Sequence, residues 1–243
     1  MRNGISAALV AAAFAMLAGC EGGTGPTTSY QYGKSAGQQA GMRYQLDAKR
    51  ERVWWLTRDG VVVKNVPAME RTAVPLPDWT WVGEAWSCTP DLALGPRGEA
   101  LVTSNIVPVV WKIDPETMAV TEHPLVLDAD TDKDFGFTGL TYSPEHDAYF
   151  AVSGNLGTLW KIDVQLTRGE KVALSSPIYN ACRIAPGGRA PLQASGPAVG
   201  LCVGSTQRNW TVEVALADRT GSVRGTACTD LAWRIGQLAM TGE

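Results

Sequence analysis

Two stretches of this chain repeat one another element by element, and that repetition limits the available folds more than any other feature. LALGPRGEALVTSNIVPVVWKID runs from Leu92 to Asp114, and LTYSPEHDAYFAVSGNLGTLWKID runs from Leu140 to Asp163. Each reads as a short apolar strand, a turn with Pro, a second strand, small polar residues with Asn, and a third strand ending in Trp-Lys-Ile-Asp. Leu92 and Leu140 are 48 residues apart, and Trp111 and Trp160 are 49 apart. An earlier unit fits the same frame, with Tyr44 to Asp47, Val53 to Leu56 and Val61 to Val63. A later unit begins at Cys182-Arg183-Ile184-Ala185-Pro186, continues at Leu201 to Gly204 and reaches Trp210 to Leu216. Asp230-Leu231-Ala232-Trp233 matches Asp91-Leu92-Ala93-Leu94 and reads as the opening of a fifth unit.

A period of roughly 40–50 residues with about four short strands is the signature of a β-propeller blade. The turn-strand-Asn-strand-Asp grammar resembles the NHL and YVTN-type propellers and, more distantly, the gluconolactonase-like ones, over roughly residues 41 to 235. The expected fold is therefore all-β, a small propeller of four to five blades spanning residues 41–243, with a two-sheet β-sandwich as the alternative. An open blade array leaves unpaired edges, so the C-terminal strands are expected to join N-terminal ones in a shared blade.

Within this grammar Trp111 with Ile113, and Trp160 with Ile162, share a strand face and are expected to fill the space between neighbouring sheets. Lys112 and Lys161 would point the other way. Asp114 and Asp163 end their strands and suit turns, because Asp bonds nearby backbone amides. Asn105 and Asn155 fall at matching turns, where Asn tolerates positive φ.

The N-terminus carries a different kind of signal. Arg2 precedes an uncharged run, Ile5 to Leu17, rich in Ala, Leu, Val and Phe. As a helix it would be roughly 20 Å long, short of the ~30 Å hydrocarbon core, so an export signal fits better than a membrane span. Leu17-Ala18-Gly19-Cys20 resembles the lipobox of bacterial lipoproteins. That resemblance implies a signal peptide over 1–19, cleavage after Gly19, lipidation of the Cys20 thiol (diacylglyceryl, with a palmitate-like acyl chain on the new amino terminus) and, with Glu21 following, the outer membrane of a Gram-negative cell. An ordinary secretory signal with an incidental Cys20 is the alternative. Residues 20–40 continue as a Gly-, Thr-, Ser- and Gln-rich tether between lipid and domain.

Without Arg2 the chain keeps 20 basic and 24 acidic residues, a net charge near −4, and no Lys/Arg cluster. Nucleic-acid binding has little support, and the lipid is left as the membrane anchor. Beyond Cys20 there are Cys88, Cys182, Cys202 and Cys228, an even number that reads as two disulfides in an exported protein. Cys182 and Cys202 fall on the first two strands of one unit, and Cys88 and Cys228 precede equivalent first strands. The expected pairs are Cys182–Cys202 and Cys88–Cys228.

Two segments carry candidate binding chemistry. Asp128, Asp130, Asp132 and Asp134 alternate ahead of Gly136, a spacing that suits calcium and its oxygen ligands. Lys133 and Gly139 depart from the EF-hand pattern, so a solvated loop is the competing reading. Trp79, Trp81 and Trp86 place three indoles in eight residues, a contact surface for a glycan or an envelope protein, or else caps over the blade ends. GxSxG, HExxH, P-loop and dinucleotide-binding motifs are absent, and the chain has two histidines, His123 and His146. Resemblance to gluconolactonase-like enzymes implies a metal held by Glu, Asn and Asp, for which Glu84, Asn105, Asp134 and Asn155 could be offered, though they share no common repeat offset. A lipid-anchored binding scaffold is the leading expectation, and a metal-dependent lactonase or esterase the alternative.

Overall fold

The short apolar runs between turns build strands, and every regular element among the described residues is a strand. The computed structural model describes residues 43–82, 88–129, 136–186, 200–205 and 210–224. The first repeat unit folds as β1 (Arg43–Asp47), β2 (Arg52–Thr57), β3 (Gly60–Asn65) and β4 (Arg71–Val74). The second is β5 (Leu92–Leu94), β6 (Ala100–Thr103), β7 (Val109–Ile113) and β8 (Val120–Pro124), followed by the short β9 (Val126–Leu127). The third is β10 (Gly139–Ser143), β11 (Ala148–Ser153), β12 (Thr158–Ile162) and β13 (Arg168–Leu174). The fourth is β14 (Arg183–Pro186), β15 (Gly200–Ser205), β16 (Trp210–Ala217) and β17 (Thr220–Arg224).

Within each unit consecutive strands pair antiparallel and in order. The first strands β1, β5, β10 and β14 neighbour one another in succession, which makes them the inner strands of four blades. The all-β, propeller-like architecture agrees with the repeat, and Leu92 and Leu140 sit on inner strands of successive blades.

Three apolar seams hold the blades together. Trp54, Val61 and Val63 of blade 1 meet Leu92, Val102, Trp111 and Ile113 of blade 2. Ala93, Leu101 and Val110 on the other side of blade 2 meet Leu140, Tyr149, Trp160 and Ile162 of blade 3. Phe150, Val152 and Leu159 then meet Ile184, Leu201, Val203 and Val214 of blade 4. Trp111 and Trp160 thus both face the preceding blade, each almost fully buried, as the repeat predicts. Blades 2 and 3 are covered on both faces, which is why β6 and β11 read as unbroken apolar runs.

Between blade 4 and blade 1 the described contact is polar: Arg43 Nη2 donates to the Cys182 carbonyl at 2.6 Å. The outer edges of blades 3 and 4 are covered by pairing. Strand β13 pairs in parallel with β17 through Ala173↔Thr220 and Leu174↔Gly221, and β9 flanks its start through Val126↔Arg168. Blades 3 and 4 therefore form a continuous path whose ends, β10 and β14, lie side by side. The expectations for the signal, Cys20 and tether, for Glu84 and Trp86, for Asp130, Asp132 and Asp134, for Cys228 and for the fifth unit at Asp230 lie outside the described residues.

Candidate functional site

In an up-and-down sheet, the connection into the first strand and the turn between the second and third strands share one end. Around the inner strands this end gathers the connections before β5, β10 and β14 and the turns at Thr57–Gly60, Ser104–Pro108 and Gly154–Gly157. It carries Trp79, Trp81, Asn105, Asn155, Cys88 and Cys182, residues that the sequence reading singled out separately. We call it the loop face.

Its aromatic platform is built in two steps. Trp79 is half-buried against the seam of blades 1 and 2, and its Nε1 donates to the Thr103 carbonyl at 3.0 Å. Trp81 stacks on it with ring centroids 6.0 Å apart and planes inclined by 26°. The Arg58 guanidinium stands 5.3 Å from the Trp81 centroid, a cation–π contact, and Trp81 keeps part of its ring in solvent beside exposed Val82. One indole caps the seam and the second lies outward upon it.

Asn105 plays a part that its turn position did not suggest. Neither it nor Asn155 has positive φ, a conformation taken instead by residues such as Asp78 and Asn180. The buried Asn105 amide donates to the carbonyls of Val82 (2.7 Å) and Cys88 (3.0 Å) and accepts from the Val82 N–H at 3.0 Å. It clamps both ends of the stretch between Val82 and Cys88, so its polar atoms are committed to backbone. Asn155 is exposed. Gly136 packs under the same turn, where a Cβ would come within 2.0 Å of the Ser104 carbonyl oxygen.

The cysteines pair differently from the expectation. Cys88 bonds to Cys182, with Cα atoms 5.0 Å apart, which rules out both Cys182–Cys202 and Cys88–Cys228. The register explains it. Cys202 stands opposite Ala185 in the β14–β15 ladder, whereas Cys182 lies before that ladder begins. Cys88 and Cys182 instead both lie in the connections that lead into the inner strands of blades 2 and 4, and their bond ties two loops past blade 3.

Of the four aspartates chosen for calcium, Asp128 is within the described residues. Its carboxylate accepts from the Lys171 N–H at 2.9 Å and pairs with Arg219, at the outer edge of blade 3. It serves there as a link between β13 and the turn before β17. Among the described residues no group of three or more His, Cys, Asp or Glu side chains is placed to hold a metal.

A second cluster lies near the axis beneath the disulfide, and it was not anticipated. Arg43 opens β1, Asp91 immediately precedes β5, and Arg183 opens β14. Arg43 Nε is 3.6 Å from Asp91 Oδ1 and both side chains are buried, at 6% and 9% exposure. Asp91 is already engaged: its Oδ1 accepts from the Leu92 N–H at 3.0 Å and its Oδ2 from the Leu140 N–H at 2.9 Å. Burial pulls the Arg43 pKa below the ordinary arginine range against the pull of Asp91. Burial and then the charge of Arg43 bring Arg183 down to about 10. The signal was present in the repeat: Arg43, Asp91, Gly139 and Arg183 all precede the first apolar residue of their inner strand, at one offset.

The opposite face is held by turns and ion pairs. Asp114 accepts from the N–H groups of Glu116 and Thr117, and Asp163 from those of Thr167 and Arg168, as their turn roles require. Arg52 bridges Asp47 (3.2 Å) and the Pro115 carbonyl (2.7 Å).

No protein-family profile matches this chain, and no characterised protein is similar to it in sequence. Its fold does have relatives among solved structures. It is similar to a streptogramin B lyase (TM-score 0.53, 14% identity, covering 79% of this chain and 57% of that one). It is similar to an auxiliary nutrient binding protein from Bacteroides thetaiotaomicron (TM-score 0.51, 10% identity, 76% of this chain and 42% of that one). A chain of a nidogen/laminin complex is a third (TM-score 0.50, 13% identity, 73% of this chain and 60% of that one). This chain spans about half the length of such relatives, and at these identities the likeness is one of fold: a β-propeller scaffold.

Proposed function

We propose that this protein is a lipid-anchored component of the bacterial envelope, a propeller that displays a binding surface to another envelope component, a glycan or a protein. The observation that carries this reading is the Trp79–Trp81 stack with Arg58 beside it, a partly exposed aromatic platform on the loop face. Stacked indoles held on a rigid sheet end lose little freedom on contact and suit sugar rings or a partner's side chains. The fold likeness to an auxiliary nutrient binding protein supports the same direction. Asn105, offered for a lactonase-like metal set, has its amide spent on backbone, so the binding reading stands ahead of the enzymatic one.

The lipobox-like Leu17–Cys20 supports the anchor, and the outer membrane follows from Glu21. Cys20→Ser should lose its acyl chains and fractionate as a soluble protein; continued membrane fractionation would remove the anchor. For the surface, intrinsic fluorescence of the purified protein titrated with cell-wall glycan fragments is expected to report saturable quenching. Trp81→Ala should weaken that binding at least tenfold. Equal affinity in the variant would place the contact elsewhere.

A further inference from the structure

We infer that the segment after Arg224 packs on the apolar outward face of blade 1 and is pinned to blade 4 by a Cys202–Cys228 disulfide, so that the chain closes its own ring of blades. Cys202 is disulfide-bonded and 1% exposed, yet Cys88 and Cys182 are bonded to each other. Of the five cysteines, Cys20 and Cys228 are left as partners. The lipobox reading gives the Cys20 thiol to lipid, and the pairing rests on that reading to this extent. The ladder supplies an independent reason. Cys202 stands opposite Glu213, and Glu213 opposite Arg224, so the three form one row across blade 4. Two strand spacings put Arg224 about 10 Å from Cys202. Four further residues reach ~13 Å when extended, enough to bring Cys228 within the ~5.5 Å Cα separation of a disulfide. Joining the two thiols releases two protons and two electrons, which a disulfide-bearing oxidoreductase accepts as its own bond is reduced to two thiols.

The side of the sheet follows from alternation. Leu201 and Val203 enter the seam with blade 3, so Cys202 points away from it, to the side of blade 1. Blade 1 presents a surface to match. Trp54, Val61 and Val63 enter the seam with blade 2, while Leu46, Val53, Trp55 and Val62 line the opposite face in register. Leu46 is 44% exposed, the other three are half-buried, and none belongs to a seam. A sheet face of this kind is normally covered by another layer. Nineteen residues follow Arg224, and in an extended strand Leu231, Trp233 and Ile235 would share one face. Leu231 and Trp233 belong to the stretch that matches Asp91 to Leu94, where the inner strand of blade 2 opens. Fixing Cys228 over β15, one strand from the inner strand β14, delivers that stretch to the gap between blades 4 and 1.

Two measurements on the full chain test this. Non-reducing peptide mapping is expected to recover Cys202 joined to Cys228. A free Cys202 overturns the pin and leaves the lipid anchor standing; a Cys20–Cys202 peptide overturns both. For the packed segment, trypsin cleavage after Arg234 is followed by mass under native conditions. Trp55→Asp should speed it roughly tenfold or more, while cleavage after the buried Lys64 of β3 keeps its rate. Should Trp55→Asp loosen both sites or fail to fold, Leu46→Asp, at an exposed position, decides. An unchanged rate at Arg234 in the folded variant overturns the docking. So does a dimer of the parent chain that Leu46→Asp dissociates, which would give the face to a second copy. Trp81→Ala should leave the Arg234 rate unchanged, so this test and that of the aromatic platform fail separately.

Discussion

The seams between blades and the loop face above them use the same side chain under opposite conditions. Trp160 is fully buried between the sheets of blades 2 and 3, in one cluster with Leu101 and Val110 of blade 2 and Leu140, Tyr149 and Ile162 of blade 3. Trp81 is fixed on one side by Trp79 and flanked by an exposed arginine, with the rest of the ring in water. Position in the repeat decides which is which. A tryptophan on the third strand of a middle blade faces another sheet, whereas Trp81, in the connection into an inner strand, has only the Trp79 ring beneath it. The sharpest way to break this contrast is Trp160→Ala, which leaves a cavity that two rigid sheets cannot close. It should cost about 3–5 kcal/mol in urea or guanidinium unfolding, the scale for a buried aromatic.

The loop face has a covalent tie of its own, and the second-largest effect should come from cutting it. Cys88 and Cys182 are 94 residues apart in sequence, so their bond restricts a long loop of the unfolded chain. The Cys88→Ala, Cys182→Ala double variant should lose about 2–4 kcal/mol. Non-reducing peptide mapping should recover Cys88 linked to Cys182. An unmoved unfolding midpoint in the double variant would mean that the Asn105 clamp and the Thr138 hydroxyl, which reaches the Ala181 carbonyl at 2.6 Å, hold these loops without it.

The same contrast separates what could be read in the sequence from what could not. Trp-Lys-Ile-Asp announced its fold because each residue is chosen by local geometry: apolar alternation for Trp and Ile, a turn for Asp. Those requirements are the same in blades 2 and 3 and so repeat in the chain. The disulfide is different, since Cys88 and Cys182 meet only after the blades take their places around an axis, and no local spacing encodes that meeting. Asn105 was misread for a related reason. A residue that clamps a loop by its amide and one that adopts positive φ look alike in a turn, and only the partners at Val82 and Cys88 distinguish them. The Arg43, Asp91 and Arg183 cluster lay between these cases: its repeat offset was visible, but nothing local says that four inner strands converge.

A smaller effect is expected at the platform itself. Trp81→Ala removes a ring that no second sheet covers, and its Nε1 makes a long bond to the Arg58 carbonyl at 3.4 Å. The stability loss should stay below about 1 kcal/mol, the range of an aromatic pair or cation–π contact at a partly exposed position. Denaturation of this variant beside Trp160→Ala measures the contrast directly. Equal losses would make Trp81 part of the core and remove the platform as a recognition surface.

The smallest effect belongs to the turns of the opposite face, where the repeat places Asp114 and Asp163 in the same role. Hydrogen bonds from the backbone of Thr117 and Glu116 lower the Asp114 pKa from its ordinary 3.8. For Asp163 burial pushes the value up, but bonds from Arg168 and Thr167 outweigh it and the net direction is again downward. A carboxylate whose folded pKa lies below the unfolded one stabilises the fold above the unfolded pKa, and this contribution disappears as pH falls through the folded value. The Asp114→Asn, Asp163→Asn double variant should therefore unfold slightly more easily than the parent at neutral pH, and the gap should close below pH ~3.8. Both turns face solvent, so the gap should be the least of the four. Urea midpoints for the two proteins at neutral and acidic pH decide it: a gap that persists unchanged in acid would assign the effect to the shape of the turn rather than to the charge on the carboxylates.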